Sequence, residues 1–311
     1  MQLKPSAARA QRPFLKPLLT GLLVGATLFL TACGSVPPKE DHIVSSAPAA
    51  VVTSTEVMFI HGMFVTAQSW EPWLPVFQAA GYTVSAPPWP AHPVPVDLTR
   101  APQNMAALGK LELTQVLDYY RKILKDKPVK PILVGHSMGG LVAQILLQEG
   151  LAQAAVVIDS APPKGILFVS GPFLKANWKL INPLTDANLP VAMTRDEFAY
   201  AFASQQTDAV VDAAYAAQVV PESHHLATDA LTAVAAIDTS KPRGPLLMIA
   251  GEKDHIIPAA LNHKNFDIYR STPANTDFLM LAERDHWLIA GAGWEEVAAR
   301  ALGWIQKQKR H

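Results

Sequence analysis

Cysteine is nearly missing from this chain of 311 residues: Cys33 is the single one. An intramolecular disulfide framework and a cysteine-built metal site are therefore both excluded. An excess of charge of either sign is missing too, with 26 Lys and Arg against 26 Asp and Glu. No basic stripe argues for a nucleic-acid partner. No internal repeat is visible. The apolar run from Leu18 to Leu30, broken only by Thr and Gly, is about thirteen residues long, too short to span a bilayer comfortably.

What is present begins with a leader. Lys4, Arg9, Arg12 and Lys16 form a basic region without acids, ahead of that apolar run. The order is that of a secretion signal, and without a twin arginine it implies general secretion. Leu30-Thr31-Ala32-Cys33 resembles the bacterial lipobox. The resemblance implies that residues 1–32 are a signal peptide, removed by cleavage before Cys33, and that the Cys33 thiol carries lipid. Several acyl chains of the palmitate kind exceed the threshold for stable anchoring. The lone cysteine is then accounted for. The expected address is the bacterial cell envelope, and Gly34 in place of Asp directs it to the outer membrane, facing the periplasm. Residues 33–53, rich in Pro, Ser and Ala, read as a flexible tether. Residues 54–311 suit one domain with an insertion.

In that domain, short apolar runs alternate with amphipathic stretches. Strands are expected at Val57–Ile60, Tyr82–Ser85, Pro131–Val134, Ala155–Ile158, Leu246–Ile249 and Asp277–Leu281. Helices are expected at Ser69–Ala80, Ala106–Lys125, Gly140–Leu147 and Trp294–Gln306. The alternation predicts an α/β fold, a mostly parallel sheet with helices on both faces. It breaks between about Pro163 and Lys241, where no strand-like run occurs. Phe168, Phe173, Trp178, Phe198, Tyr200 and Phe202 fall there, followed by an alanine-rich stretch. This segment reads as a helical insertion.

Gly135-His136-Ser137-Met138-Gly139 stands between a strand and a helix. Strand, G-x-S-x-G and helix together make the context of a nucleophile elbow. The turn is tight enough to strain the serine backbone, and a side chain at either glycine would clash. The helix N-terminus beneath Ser137 favours a developing oxyanion. A serine hydroxyl needs a base within reach and a group to orient that base. Gly251-Glu252-Lys253-Asp254-His255-Ile256-Ile257-Pro258 follows one strand, and Glu283-Arg284-Asp285-His286-Trp287 follows the last. Both lie beyond strand C-terminal ends, the edge that carries sites in such sheets. Asp159, at the end of the preceding strand, competes with Asp254 as the acid. His136 is expected to point away from Ser137, His61 to brace its own loop, and Asp285, His224 and His225 to be polar surface.

These motifs, with His61-Gly62-Met63 after the first strand, closely resemble the α/β-hydrolase superfamily from about residue 55 to 309. The resemblance implies the α/β-hydrolase fold, with the insertion at about 163–241 acting as a cap. It assigns Ser137 as nucleophile, His286 as base and Asp254 as orienting acid. The backbone N–H groups of Met63 and Met138 become the oxyanion hole. Some relatives place the acid at the position of Asp159. One departure is the loop Ala86 to Pro95, whose prolines make it stiff, with Trp89 either lining the pocket or packing the loop onto the body.

The expected reaction is acyl transfer, without a metal or cofactor. The substrate is a small-molecule ester with an apolar acyl or aryl group, and lipids and thioesters fall within the family's range. The cap aromatics fit such a group or form the cap's own core. Cofactor-free perhydrolysis of the haloperoxidase type and carbon–carbon bond hydrolysis use the same residues and stay open. A non-catalytic envelope lipoprotein that binds through a hydrolase fold is the remaining alternative.

Overall fold

The computed structural model describes residues 51–270, 272 and 274–309. The leader, Cys33 and all but the end of the tether lie outside the described residues. Six strands form one parallel sheet: β1 (Glu56–Ile60), β2 (Thr83–Ser85), β3 (Ile132–His136), β4 (Ala154–Ile158), β5 (Leu246–Gly251) and β6 (Thr276–Leu281). Their order is β2-β1-β3-β4-β5-β6. All neighbours run parallel.

The sequence of the strands explains why both faces are covered. Side chains alternate across a strand, so a run of apolar residues feeds two cores at once. In β1, Val57 and Phe59 enter one core while Met58 and Ile60 enter the other. In β3 and β4, Ile132, Val134, Val156 and Ile158 share the first core, and Leu133, Ala155 and Val157 the second. The first core is closed by α1 (Trp73–Ala79) and α11 (Trp294–Gln308), through Trp73, Phe77, Val297, Ala301 and Ile305.

The second core is closed by helices that follow β2 and β3. After β2 come α2 (Val96–Arg100), α3 (Pro102–Gly109) and α4 (Leu113–Leu124). After β3 comes α5 (Met138–Gln148), ten of whose eleven residues are buried. Between β4 and β5 lie α6 (Gly171–Ile181), α7 (Arg195–Ala201), α8 (Asp208–Gln218) and α9 (His224–Asp229). This segment adds no strand to the sheet, only the antiparallel bridge Val191–Glu222. The final connection carries α10 (Ala259–Asp267).

Two expected helices are broken. The stretch Ser69–Ala80 is a 3₁₀ turn at Ala67–Trp70 followed by α1, because Pro72 supplies no N–H to continue the first piece. The stretch Ala106–Lys125 is α3 and α4. Gly109 passes so close to the Asn188 backbone that a Cβ would collide with it. Glu112 and Gln115 then restart the helix with a reciprocal capping box. Among the described residues, no helix is long and apolar enough to cross a membrane.

Glycines separate by position into those the packing requires and those it does not. A Cβ on Gly139 would run into the carbonyl oxygens of Ile60 and His61, whereas one on Gly303 in α11 meets nothing within 4 Å. Gly139→Ala is expected to destabilise by about 1–3 kcal/mol through overpacking. Gly303→Ala is expected to stabilise by roughly 0.5–1 kcal/mol through helix propensity. Urea midpoints of the two variants check this. A Gly139→Ala midpoint at or above the wild-type value contradicts the elbow packing.

Candidate active site

The elbow is built as its spacing requires. Ser137 has φ 56 and ψ −122, a region that non-glycine residues rarely occupy. Its backbone is held by Ser137 N–H donating to the Ile158 carbonyl at 2.9 Å, and by its own carbonyl accepting from Gly140, Leu141 and Ala161. A Cβ at Gly135 would strike the Gly139 carbonyl. The loop after β1 presses on the same point: a Cβ on Gly62 would sit 2.8 Å from the Ser137 Cβ. Met63 and Met138 are both buried at this junction, Met138 as the first residue of α5. Ser137 itself is 6% exposed.

His286 and Asp254 are brought together from the loops after β6 and β5. His286 Nδ1 donates to Asp254 Oδ2 at 2.6 Å, and both side chains are buried. Asp254 Oδ1 accepts from the Ile256 and Ile257 N–H groups at 2.7 and 2.9 Å. With Nδ1 protonated, the neutral ring keeps its lone pair on Nε2. Nε2 is buried and makes no hydrogen bond among the described residues. Its bond to Ser137 Oγ is thus not closed, as is common in sites without substrate.

Asp159 is the nearby rival. Its Oδ2 is 4.0 Å from His286 Nδ1, against 2.6 Å for Asp254. Its Oδ1 accepts from the Gly251 N–H at 2.7 Å. Burial, reinforced by the Asp254 carboxylate, holds the Asp159 carboxyl well above the usual carboxylate range. Asp254, the nearer carboxyl, is the acceptor that orients the ring. Ligand-type atoms of His136, Asp159 and His286 do lie within 4.8 Å of one another. Each residue has one such atom engaged, His286 Nδ1 with Asp254, Asp159 Oδ1 with Gly251, and His136 Nε2 with the His286 carbonyl at 3.0 Å, while His136 Nδ1, Asp159 Oδ2 and His286 Nε2 have no hydrogen bond among the described residues.

Several expectations are corrected here. The His136 ring packs 4.6 Å from that of His286. Burial, and then the nearby His286, hold its pKa well below the ordinary value. Asp285 is not loop surface but 1% exposed. It accepts from the Gln205 N–H, the Gln206 side chain and the Trp287 N–H. The Trp287 N–H and the Phe202 carbonyl pair at 2.8 Å, so the histidine loop is tied to the insertion. His224 is 8% exposed and likewise not surface. Trp89 packs its loop onto the body, 2% exposed and stacked on His61 with centroids 4.3 Å apart. His61 braces its own loop, Nδ1 donating to the Gly62 carbonyl at 2.9 Å.

Sequence reading missed two residues beside the site. His92 and Glu222 are fully buried and paired at 3.1 Å. The available signals were faint: a histidine inside a proline-rich loop, and a glutamate directly after Val219-Val220-Pro221. The insertion also frames a cavity of about 530 Å³ lined by Phe64, Leu174, Trp178, Leu180, Met193 and Tyr200 among others.

Known proteins share this architecture. A solved metagenome-derived lipolytic enzyme has a TM-score of 0.58 at 19% identity, covering 86% of this chain and 97% of its own. The monoacylglycerol lipase of Paleococcus ferrophilus has a TM-score of 0.60 at 16% identity, with coverage of 87% and 99%. Methylketone synthase I of tomato has a TM-score of 0.61 at 16% identity, with coverage of 82% and 99%. Identities this low speak to the fold. No curated protein sequence matches the chain. The profile of the alpha/beta hydrolase family matches residues 57–300, from β1 into α11, and the chain belongs to that family.

Proposed function

We propose that the protein is a serine hydrolase that cleaves carboxylic esters through an acyl-enzyme on Ser137. The observation that carries this reading is the buried His286–Asp254 pair, 2.6 Å apart, with an unengaged Nε2 beside the strained serine elbow. Ser137 Oγ attacks the ester carbonyl while His286 Nε2 takes its proton. Asp254 holds the ring in the Nδ1–H form and stabilises the imidazolium. The carbonyl oxygen becomes an oxyanion, received by the Met63 and Met138 N–H groups; a donor of this type contributes about 3–4 kcal/mol to lowering the barrier. His286 returns its proton to the leaving alcohol. Water, deprotonated by the same nitrogen, then releases the acid and restores Ser137.

Phe64, Leu174, Trp178, Leu180 and Met193 give the 530 Å³ cavity apolar surface that suits an acyl or aryl group, beside Lys175, Lys179, Asp196 and Glu197; it meets the Ser137 site through Phe64, the neighbour of Met63. The lipolytic and lipase activities named for the fold relatives point the same way. We also propose that the mature chain is lipid-anchored at Cys33 in the bacterial envelope, on the strength of Leu30-Thr31-Ala32-Cys33 behind its basic and apolar leader. Cys33→Ser should leave the precursor uncleaved or release the protein from membranes. Wild-type protein that takes up no clickable palmitate counts against the anchor.

Hydrolysis of a nitrophenyl ester series tests the chemistry. Ser137→Ala and His286→Ala should each lower kcat by about three orders of magnitude or more, and the double variant little further, since both act in one step. A fluorophosphonate should label Ser137 only while His286 is intact. Asp254→Asn should cost less than either, and Asp159→Asn less again. The raised Asp159 pKa gives a second check. A carboxyl kept neutral by folding stabilises below the unfolded value of 3.8 and loses that contribution as pH rises towards the folded value. Asp159→Asn should therefore be more stable than wild type at neutral pH, with the gain gone below about pH 4. If Asp159→Asn abolishes activity and Asp254→Asn spares it, the acid is Asp159.

Two cap aromatics separate specificity from packing. Trp178 lines the cavity and is 56% exposed, whereas Phe198 is fully buried against Phe202 and Trp287. Trp178→Ala should shift chain-length preference with little loss of stability. Phe198→Ala should destabilise by about 3–5 kcal/mol and lower activity on all esters alike. Equal behaviour of the two variants in melting and in the ester series contradicts this division.

A further inference from the structure

Two buried ionisable side chains take no part in the acid–base set. His92 comes from the proline-rich loop after β2, and Glu222 from the segment between α8 and α9. Glu222 Oε2 faces His92 Nε2 at 3.1 Å and also accepts from the Phe64 backbone N–H at 3.3 Å. Oε1 accepts from the Ser223 N–H at 2.6 Å. His92 Nδ1 faces the Pro90 carbonyl at 3.2 Å. A ring with an oxygen acceptor at each nitrogen carries two protons. An oxygen at each nitrogen favours the charged form of the ring. Burial alone would lower the His92 pKa, but Glu222 overrides it and the net shift is upward.

The Phe64 backbone explains what this pair holds. Phe64 has φ 65, a left-handed conformation that a bulky residue keeps only where its surroundings over-determine it. Here both of its peptide groups are taken by one segment. Glu222 accepts its N–H, and the Val220 N–H donates to its carbonyl at 2.9 Å. That segment is itself fixed. Glu222 and Val191 exchange two backbone bonds of 2.7 and 2.8 Å, and the Arg100 guanidinium donates to the Val219 carbonyl. The Ser223 hydroxyl donates to the Leu111 carbonyl at 2.7 Å. The His92 ring lies 5.4 Å from that of His61, whose Nδ1 donates to the Gly62 carbonyl on the other side of Met63.

We propose that the Glu222–His92 ion pair is a positioning device for the oxyanion loop: it fixes Phe64, and through Phe64 the Met63 N–H that meets the oxyanion. This rests on the serine-hydrolase reading above. The insertion then completes the oxyanion hole as well as covering the site. Glu222 touches neither substrate nor the reacting atoms and acts through Phe64.

The test is a variant series assayed per active site, with sites counted by end-point fluorophosphonate labelling of the full chain. Glu222→Gln keeps an acceptor for the Phe64 N–H but loses the charge facing His92; Glu222→Ala loses both. Kcat per labelled site should fall about tenfold or more in Glu222→Ala and less in Glu222→Gln, with KM nearly unchanged. Affinity for an alkyl trifluoromethyl ketone, whose adduct on Ser137 carries an oxyanion, should fall by the same factors. A merely structural role lowers the number of labelled sites and leaves kcat per site and ketone affinity alone; that result overturns the proposal, as does a loss confined to KM. If Glu222→Ala yields no folded protein, His92→Gln reads the pair from its other side, and an unchanged kcat per site there overturns it equally. A wild-type chain that fails to label removes the serine-hydrolase reading and this inference together, whereas labelled variants with unchanged kcat remove the inference alone.

Discussion

The site depends on how closely three backbones approach one another at Ser137. β3 ends, α5 begins, and the loop after β1 crosses the turn between them. Gly135, Gly139 and Gly62 stand where a Cβ would strike a neighbour. Their bareness lets the serine sit at φ 56 with its peptide groups bonded to β4 and α5. The cost of that conformation is spread over a central strand and an almost wholly buried helix, the part of the molecule best able to bear it. Asp254 and His286 arrive separately, on loops that leave β5 and β6 at the same edge of the sheet. A parallel sheet delivers all these loops to one side because every strand points the same way.

The insertion is more than a cover. It grips the loop after β1 through Val220 and Glu222, and it grips the histidine loop through Phe202, Gln205 and Gln206. Asp285 and Glu222 are the two acids that make these ties, one at each side of the site. Burial pushes the Asp285 pKa up, and three donors act against that shift. Buried polar groups of this kind are costly unless satisfied, and satisfied they set one arrangement against its neighbours.

Much of this was legible in the residues. The six strands showed as short apolar runs because both sheet faces are covered, and the elbow showed because its glycines have fixed offsets. His286 and Asp254 stood just past strands, where the sheet's polarity puts chemistry. The helix breaks at Pro72 and Gly109 were harder, since periodicity ran through both; the second depends on contact with Asn188, far along the chain. Glu222, His92 and Asp285 were the least visible. An acid in a polar stretch looks like surface, and only tertiary structure brings it a partner from another part of the chain. That Asp254 lies 2.6 Å from the His286 ring and Asp159 4.0 Å is likewise something no spacing encodes.

The placement of His286 just beyond β6 has a consequence for durability. Among the described residues β6 is an edge strand with β5 as its only neighbour, while Ser137 follows β3 in the interior of the sheet. Local opening takes the least-supported elements first, so His286 can leave while Ser137 stays seated. Heat or denaturant would then silence the enzyme before far-ultraviolet signals report any loss of helix. The contacts from Phe202 and Gln205 onto the histidine loop act as a brace on that weak margin, and the endurance of the insertion sets the working life of the molecule.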